Sequence, residues 1–193
     1  MMAGVLGTVL WYLIVRFLWQ KDLAFFHSAV PRIGAGIILA NMSIVTNVLE
    51  DYHASGKYAQ EAFVIFQTIG SEYQMAFPLR LMAYAAIHAG NLVYARELNL
   101  QSLKQNHSMG DEHRVGLYGN LVALAEILLA EKQFERAARL VSLVESHTEE
   151  DQRAFQEPDT LALARVRSAL EKKKFKQKAD DETTLEEVIR ELK

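Results

Sequence analysis

The sequence predicts an all-α protein built from stacked helical hairpins, and three observations carry that prediction. Half of the 193 residues are hydrophobic, enough for a sizeable core and too many for global disorder. Only three prolines interrupt a chain rich in Ala, Leu, Glu, Lys and Arg, the residue types that favour helices. A break, a large apolar residue and an alanine then recur along its middle. They stand at Gly56-Lys57-Tyr58-Ala59-Gln60-Glu61-Ala62, Gly90-Asn91-Leu92-Val93-Tyr94-Ala95 and Lys132-Gln133-Phe134-Glu135-Arg136-Ala137.

The alanines of this pattern, Ala62, Ala95 and Ala137, are 33 and 42 residues apart. Tetratricopeptide repeats recur at about 34 residues, so the first interval fits and the second is longer. The shared chemistry is packing. A small residue lets the second helix of a hairpin approach the first, and a large one fills the gap at the tip. The expected architecture is a right-handed α-α superhelix of tetratricopeptide-like hairpins with a C-terminal capping helix. Residues 1–32 form an N-terminal apolar helical pair, 33–150 three repeats, and 151–193 the capping helices.

Ala3 to Trp19 is apolar apart from Thr8 and Arg16. Two readings stand. One is a buried helix. The other is a membrane anchor, with Arg16 able to snorkel, although 17 residues fall short of the roughly 20 that a span requires. Asp22 to Val30 continues as a short helix that Pro31 ends, and the next helix runs from about Ile33 to Tyr52. Gly34-Ala35-Gly36 lacks the third glycine and the preceding strand of a dinucleotide loop, so it reads as close helix packing.

Ser71-Glu72-Tyr73-Gln74 has the form of a capping box, and the helix it opens continues, bent, through Pro78. Ala83 and Ala125 are the small residues at the helix crossings, preceded by Met82 and Leu124. Two antiparallel helices span Met109 to Ser146, joined at Glu131-Lys132-Gln133-Phe134. Leu117, Leu121, Leu124 and Leu128 carry the 3-4 spacing of a buried stripe. A further helix covers Asp151 to Leu170, broken near Pro158, with Asp159 as the cap of its second part. Lys172, Lys173, Lys174, Lys176 and Lys178 read as a solvated helix end. Thr184-Leu185-Glu186-Glu187 opens a short amphipathic last helix with Leu185, Val188, Ile189 and Leu192 on its apolar side.

The final hairpin resembles a known family. Met109-Gly110-Asp111, Leu121-Val122-Ala123-Leu124-Ala125-Glu126 and Phe134-Glu135-Arg136-Ala137-Ala138-Arg139-Leu140 are similar to the last repeat of the C-terminal tetratricopeptide arrays of large bacterial signal-transduction ATPases and helix-turn-helix transcriptional regulators. Ala169-Leu170-Glu171-Lys172-Lys173-Lys174-Phe175 and Thr184 to Val188 extend the likeness. It is best over residues 105–193 and weak over 33–104. The resemblance implies a sensor or regulatory array. The nucleotide-binding domain of the family is missing, since no G-x-x-x-x-G-K-[ST] occurs, and no DNA-reading helix pair is evident.

Composition narrows the chemistry. Without cysteine there are no disulfides, thiolate zinc sites or thiol nucleophiles, which fits a reducing, cytoplasmic location; the anchor reading would instead place residues 3–19 in an inner membrane. A net charge of -3 argues against nucleic acid as a partner. None of the six histidines forms an H-x-x-x-H pair, and no nucleophile elbow is present, so neither enzymatic activity nor a cofactor is expected. The expected role is binding in a concave groove lined by the first helix of each hairpin. The candidate groove positions are Thr46, Glu50 and His53 in the first unit, Arg80, Tyr84 and His88 in the second, and Val122 and Glu126 in the third. The expected partner is a protein, a peptide or a small effector, with self-association through the apolar N-terminus as a further expectation.

Overall fold

A computed structural model describes residues 29–108, 114–148 and 157–173. The described residues form seven helices and no strand: α1 (Ala29–Val48), α2 (Tyr52–Thr68), α3 (Glu72–His88), α4 (Leu92–Ser108), α5 (Arg114–Ala130), α6 (Phe134–Thr148) and α7 (Glu157–Lys172). The protein is therefore all-α, as its composition predicts. The apolar stretch 3–19, the lysines from Lys174 on and the amphipathic segment 184–192 lie outside the described residues. Among the described residues no helix is long and apolar enough to cross a membrane.

Four of the turns are built alike. Each helix ends in two turn residues, the second in the left-handed region: Glu50 (φ 61°), Gly70 (φ 71°), Gly90 (φ 77°) and Lys132 (φ 63°). The N–H of that residue donates to the carbonyl three residues back. The next N–H reaches five back, as Asp51 to Thr46, Ser71 to Phe66, Asn91 to Ala86 and Gln133 to Leu128. This is the Schellman arrangement, which satisfies carbonyls that a helix end leaves open. The following helix starts at once, leaving no slack in the connection. Asp51 caps α2 by accepting from the Ala54 N–H (3.0 Å), and Asn91 caps α4 by accepting from the Tyr94 N–H (3.2 Å).

Several local expectations change. The first turn falls at Leu49-Glu50, not at Gly56, which lies inside α2 with Ala85 against it. The residue matching Ala95 and Ala137 is therefore Ser55, four residues after its cap like the other two, and it is fully buried. Equivalent positions are then 40 and 42 residues apart, longer than the tetratricopeptide period. Pro31 does not end a helix; it stands in the first turn of α1, where the missing N–H leaves nothing unsatisfied. Ser71 makes no capping bond to the backbone, and its hydroxyl donates instead to Gln74 Oε1 (3.0 Å). The helix containing Pro78 is continuous from Glu72 to His88.

Each helix from α1 to α6 packs on the next, and α1, α3 and α5 also touch in series. Gly36 makes the first junction tight, since a Cβ there would stand 2.5 Å from the Phe66 ring. Side chains tie the junctions further. Ser55 Oγ donates to the Ser43 carbonyl (3.0 Å), and Ser102 Oγ to the Ala76 carbonyl (2.6 Å). Helix α5 is the centre of the molecule, buried without a break from Leu117 to Leu128 between α3, α4, α6 and α7. Its stripe of Leu117, Leu121, Leu124 and Leu128 is in the core, as are Ala83, Ala125 and Ala137.

Helix α7 packs on α5, α6 and α1, and reaches α3 through one carboxylate. It thus lies across the row formed by α1, α3 and α5. The row that the sequence reading assigns to a partner is covered by the chain itself.

Candidate functional site

The eight candidate groove residues divide into two places. Arg80 (3% exposed), Tyr84 (0%) and Val122 (1%) are buried, and Glu126 is nearly so (6%). Their assignment to an open groove is corrected by α7. Asp159 of α7 accepts a forked pair of bonds from Arg80, Nε to Oδ1 at 3.0 Å and Nη2 to Oδ2 at 3.1 Å. Tyr84 Oη donates to the same Oδ1 at 2.8 Å. Arg80 also donates to the Gly116 carbonyl (3.2 Å), and its guanidinium stands 5.2 Å from the centre of the Phe77 ring. Gly119 leaves the room, since a Cβ there would stand 2.8 Å from both Arg80 and Asp159. Burial, reinforced by the Asp159 charge, raises the Tyr84 pKa well above that of a free phenol, so this hydroxyl stays a donor. Asp159 lies inside the first turn of α7, not at its N-cap, and its carboxylate turns to α3.

Beside this cluster, Asn99, Asn106 and Asn120 form a buried amide network between α4 and α5. Asn120 Nδ2 donates to Asn99 Oδ1 (2.8 Å), Asn106 Nδ2 to Asn120 Oδ1 (2.8 Å), and Asn99 Nδ2 to the Asn120 carbonyl (3.0 Å). Gly116 allows Asn106 to approach, at 2.7 Å from where a Cβ would be. These contacts pair amide groups that burial would otherwise leave unsatisfied.

Glu126 leads outward from the core. It accepts from Arg165 of α7 (Nε to Oε1 2.7 Å, Nη2 to Oε2 3.3 Å) and lies 3.8 Å from His88 Nε2. His88 stacks flat on Tyr52, ring centres 3.6 Å apart and planes within 7°. Burial lowers the His88 pKa, against the opposing pull of the Glu126 charge, so the ring is neutral near pH 7. Its side chain is 21% exposed and opens on the second place.

That place is a groove of about 610 Å³ at the tips of the first two hairpins. Its floor is Met82, Ala85 and Ala86 of α3. One wall is the start of α2, with Glu50, Asp51, Tyr52, His53 and Gln60 along it. The other is the end of α3 and start of α4, with His88, Asn91 and Tyr94. Of the candidate residues, Glu50, His53 and His88 line it; Thr46 does not, because its hydroxyl turns back to the Met42 and Ser43 carbonyls (2.8 and 3.1 Å). The sequence reading missed Tyr52, Gln60 and Tyr94. The signal that finds them is the repeated turn: residues flanking a helix cap at Asp51 and at Asn91 gather at one end of adjacent hairpins. Among the described residues no group of three or more His, Asp or Glu side chains converges as a metal ion requires. No protein-family model, curated protein or solved structure matches the chain.

Proposed function

We propose that the protein is a non-enzymatic, tetratricopeptide-like interaction module, the sensor or regulatory array of a bacterial signalling system of the kind its C-terminal half resembles. It holds a protein or peptide partner in the groove between the tips of α2 and α4. The observation that carries this reading is the groove itself, an apolar floor of Met82, Ala85 and Ala86 between polar and aromatic walls. The covered inner row supports it from a different side. Arg80, Tyr84 and Glu126 already hold one helix, α7, by a carboxylate and a guanidinium. A helical scaffold of this composition accommodates a helical ligand with charge-paired anchors.

Gln60→Trp tests the reading, because Gln60 is an exposed wall residue and an indole there obstructs the groove. Affinity capture from a cell lysate with the full chain is expected to lose one or more proteins for Gln60→Trp. Glu135→Lys, exposed on α6 and not part of the groove, is expected to retain them, both variants melting like the parent. Identical captured sets from all three proteins would defeat the assignment of binding to this groove.

A further inference from the structure

The groove has a charge that its position in the fold does not require. Its lining carries two carboxylates, Glu50 and Asp51, and neither lysine nor arginine. Asp51 is engaged as the α2 cap. Glu50 differs: its carboxylate makes no hydrogen bond or ion pair with the described residues, and the residue is exposed. At φ 61° it occupies the left-handed region, and the corresponding residues of the next two turns are Gly70 and Gly90. A side chain in that conformation is unfavourable by roughly 1–2 kcal/mol relative to the right-handed region, and glycine is the residue that relieves it. Lys132 of the fourth turn shares this conformation outside the groove, so what sets Glu50 apart is a carboxylate at the groove wall, unpaired among the described residues.

The rest of the groove complements a cation flanked by apolar groups. Tyr94 and the Tyr52–His88 stack supply aromatic faces, and Leu49 (72% exposed) and Val93 (73%) are exposed apolar residues next in the chain to lining residues at the two walls. Exposed apolar side chains neighbouring both walls in the chain suit a ligand that runs past the groove, as a polypeptide does. A guanidinium pairs with a carboxylate through two parallel bonds and also lies flat on an aromatic ring, which ammonium does less well.

We infer that the groove binds a peptide segment carrying an arginine next to an apolar residue. The guanidinium is held by the Glu50 carboxylate and the Tyr94 ring, and the apolar side chain rests on Met82, Ala85 and Ala86. This rests on the interaction-module reading and specifies the partner for the same groove.

Fluorescence anisotropy with the full chain tests it. The probes are a fluorescein-labelled nonapeptide alternating leucine and arginine and its counterparts with glutamine or glutamate at every arginine, in about 150 mM salt to suppress long-range attraction. The arginine peptide is expected to bind about tenfold or more tightly than the glutamine peptide, and the glutamate peptide not to bind. Glu50→Gln is expected to remove most of the arginine preference, Tyr94→Leu part of it, and Glu135→Gln none. Equal binding of the arginine and glutamine peptides, both blocked by Gln60→Trp, would overturn the arginine assignment and leave the groove reading intact. Arginine-peptide binding that survives Gln60→Trp and Glu50→Gln alike would place the peptide elsewhere and overturn both.

Discussion

The inner row and the tip groove use the same residue types to opposite ends. On the inner row, Arg80, Tyr84 and Glu126 are buried, and α7 supplies a partner to each: Asp159 to the first two and Arg165 to the third. At the groove, Glu50, His53, Gln60 and Tyr94 are exposed, and Glu50 has no charge partner among the described residues. Both places belong in part to α3, whose Arg80 and Tyr84 face α7 while Met82, Ala85 and His88 face the groove. A polar residue on a repeat helix therefore reports an interaction, but whether the partner is internal depends on a helix far along the chain. A buried charge left alone is strongly unfavourable, so the helix that covers Arg80 has to bring a carboxylate with it. The groove, open to water, carries no such requirement.

The sharpest way to break the comparison is to remove the internal partner. Asp159→Ala leaves Arg80 as a buried charge without its carboxylate and Tyr84 with only the more distant Gly119 carbonyl (3.5 Å) as acceptor. The expected loss is about 3–5 kcal/mol, read from urea unfolding. Arg80→Met with Asp159→Asn, which removes the pair together, is expected to lose markedly less than the two single changes summed. Additive losses would show that the two residues do not act as one unit. Arg80→Ala and Tyr84→Ala are core changes for the same reason, and each is expected to lower the melting temperature.

A smaller effect of opposite sign is expected at the groove. Glu50→Gly relieves the left-handed strain and is expected to stabilise the protein by up to about 1 kcal/mol, while weakening the arginine peptide. Lys132→Gly, the same backbone change in a turn outside the groove, is expected to stabilise similarly and leave peptide binding unchanged. Calorimetric melts and anisotropy on the two variants separate strain that accompanies binding from strain that does not.

The smallest effect is in pH. His88 faces Tyr52 on α2, Glu126 on α5 and Arg165 on α7, with Glu50 further off. Burial sets its native pKa below the usual 6.5, so the unfolded chain binds its proton more readily. The His88 contribution is then complete above pH 6.5, declines as pH falls from there to the lower native value, and is flat below it. The stability difference between the parent and His88→Gln, followed by urea midpoints from about pH 8 to 5, is expected to shrink over that window. A difference independent of pH would mean that His88 titrates alike folded and unfolded.

The sequence makes the helices legible and their covering partner illegible. Leu117, Leu121, Leu124 and Leu128 name the buried side of α5, and Ala95 and Ala137 mark helix crossings, because apolar period and residue size are local properties. The first turn was less legible. Gly56 imitates a break, whereas the real turn at Glu50 has no glycine; the regular spacing of Glu50, Gly70 and Gly90, 20 residues apart, carries the stronger signal. Arg80 and Tyr84 share a side of α3, as their spacing of four implies. That Asp159 waits for them is a contact across 79 and 75 residues, which periodicity does not encode. Glu50, His53 and His88 are expected in a concave groove lined by first helices and instead line the tip groove, where Tyr52 and Tyr94 join them once the turns are placed correctly.

That long contact gives the molecule an order of events. From α1 to α6 each helix finds its main neighbour next in the chain, so these contacts close short loops and form quickly. Helix α7 alone among the described helices must return to α1 and α3, and until it does Arg80 stays solvated on an unfinished surface. Docking of α7 is thus expected to be a late step that dehydrates a guanidinium and locks the row beneath it. Amides of α5 should exchange with solvent only after α7 has lifted, making the last helix to arrive the gatekeeper of the most protected one.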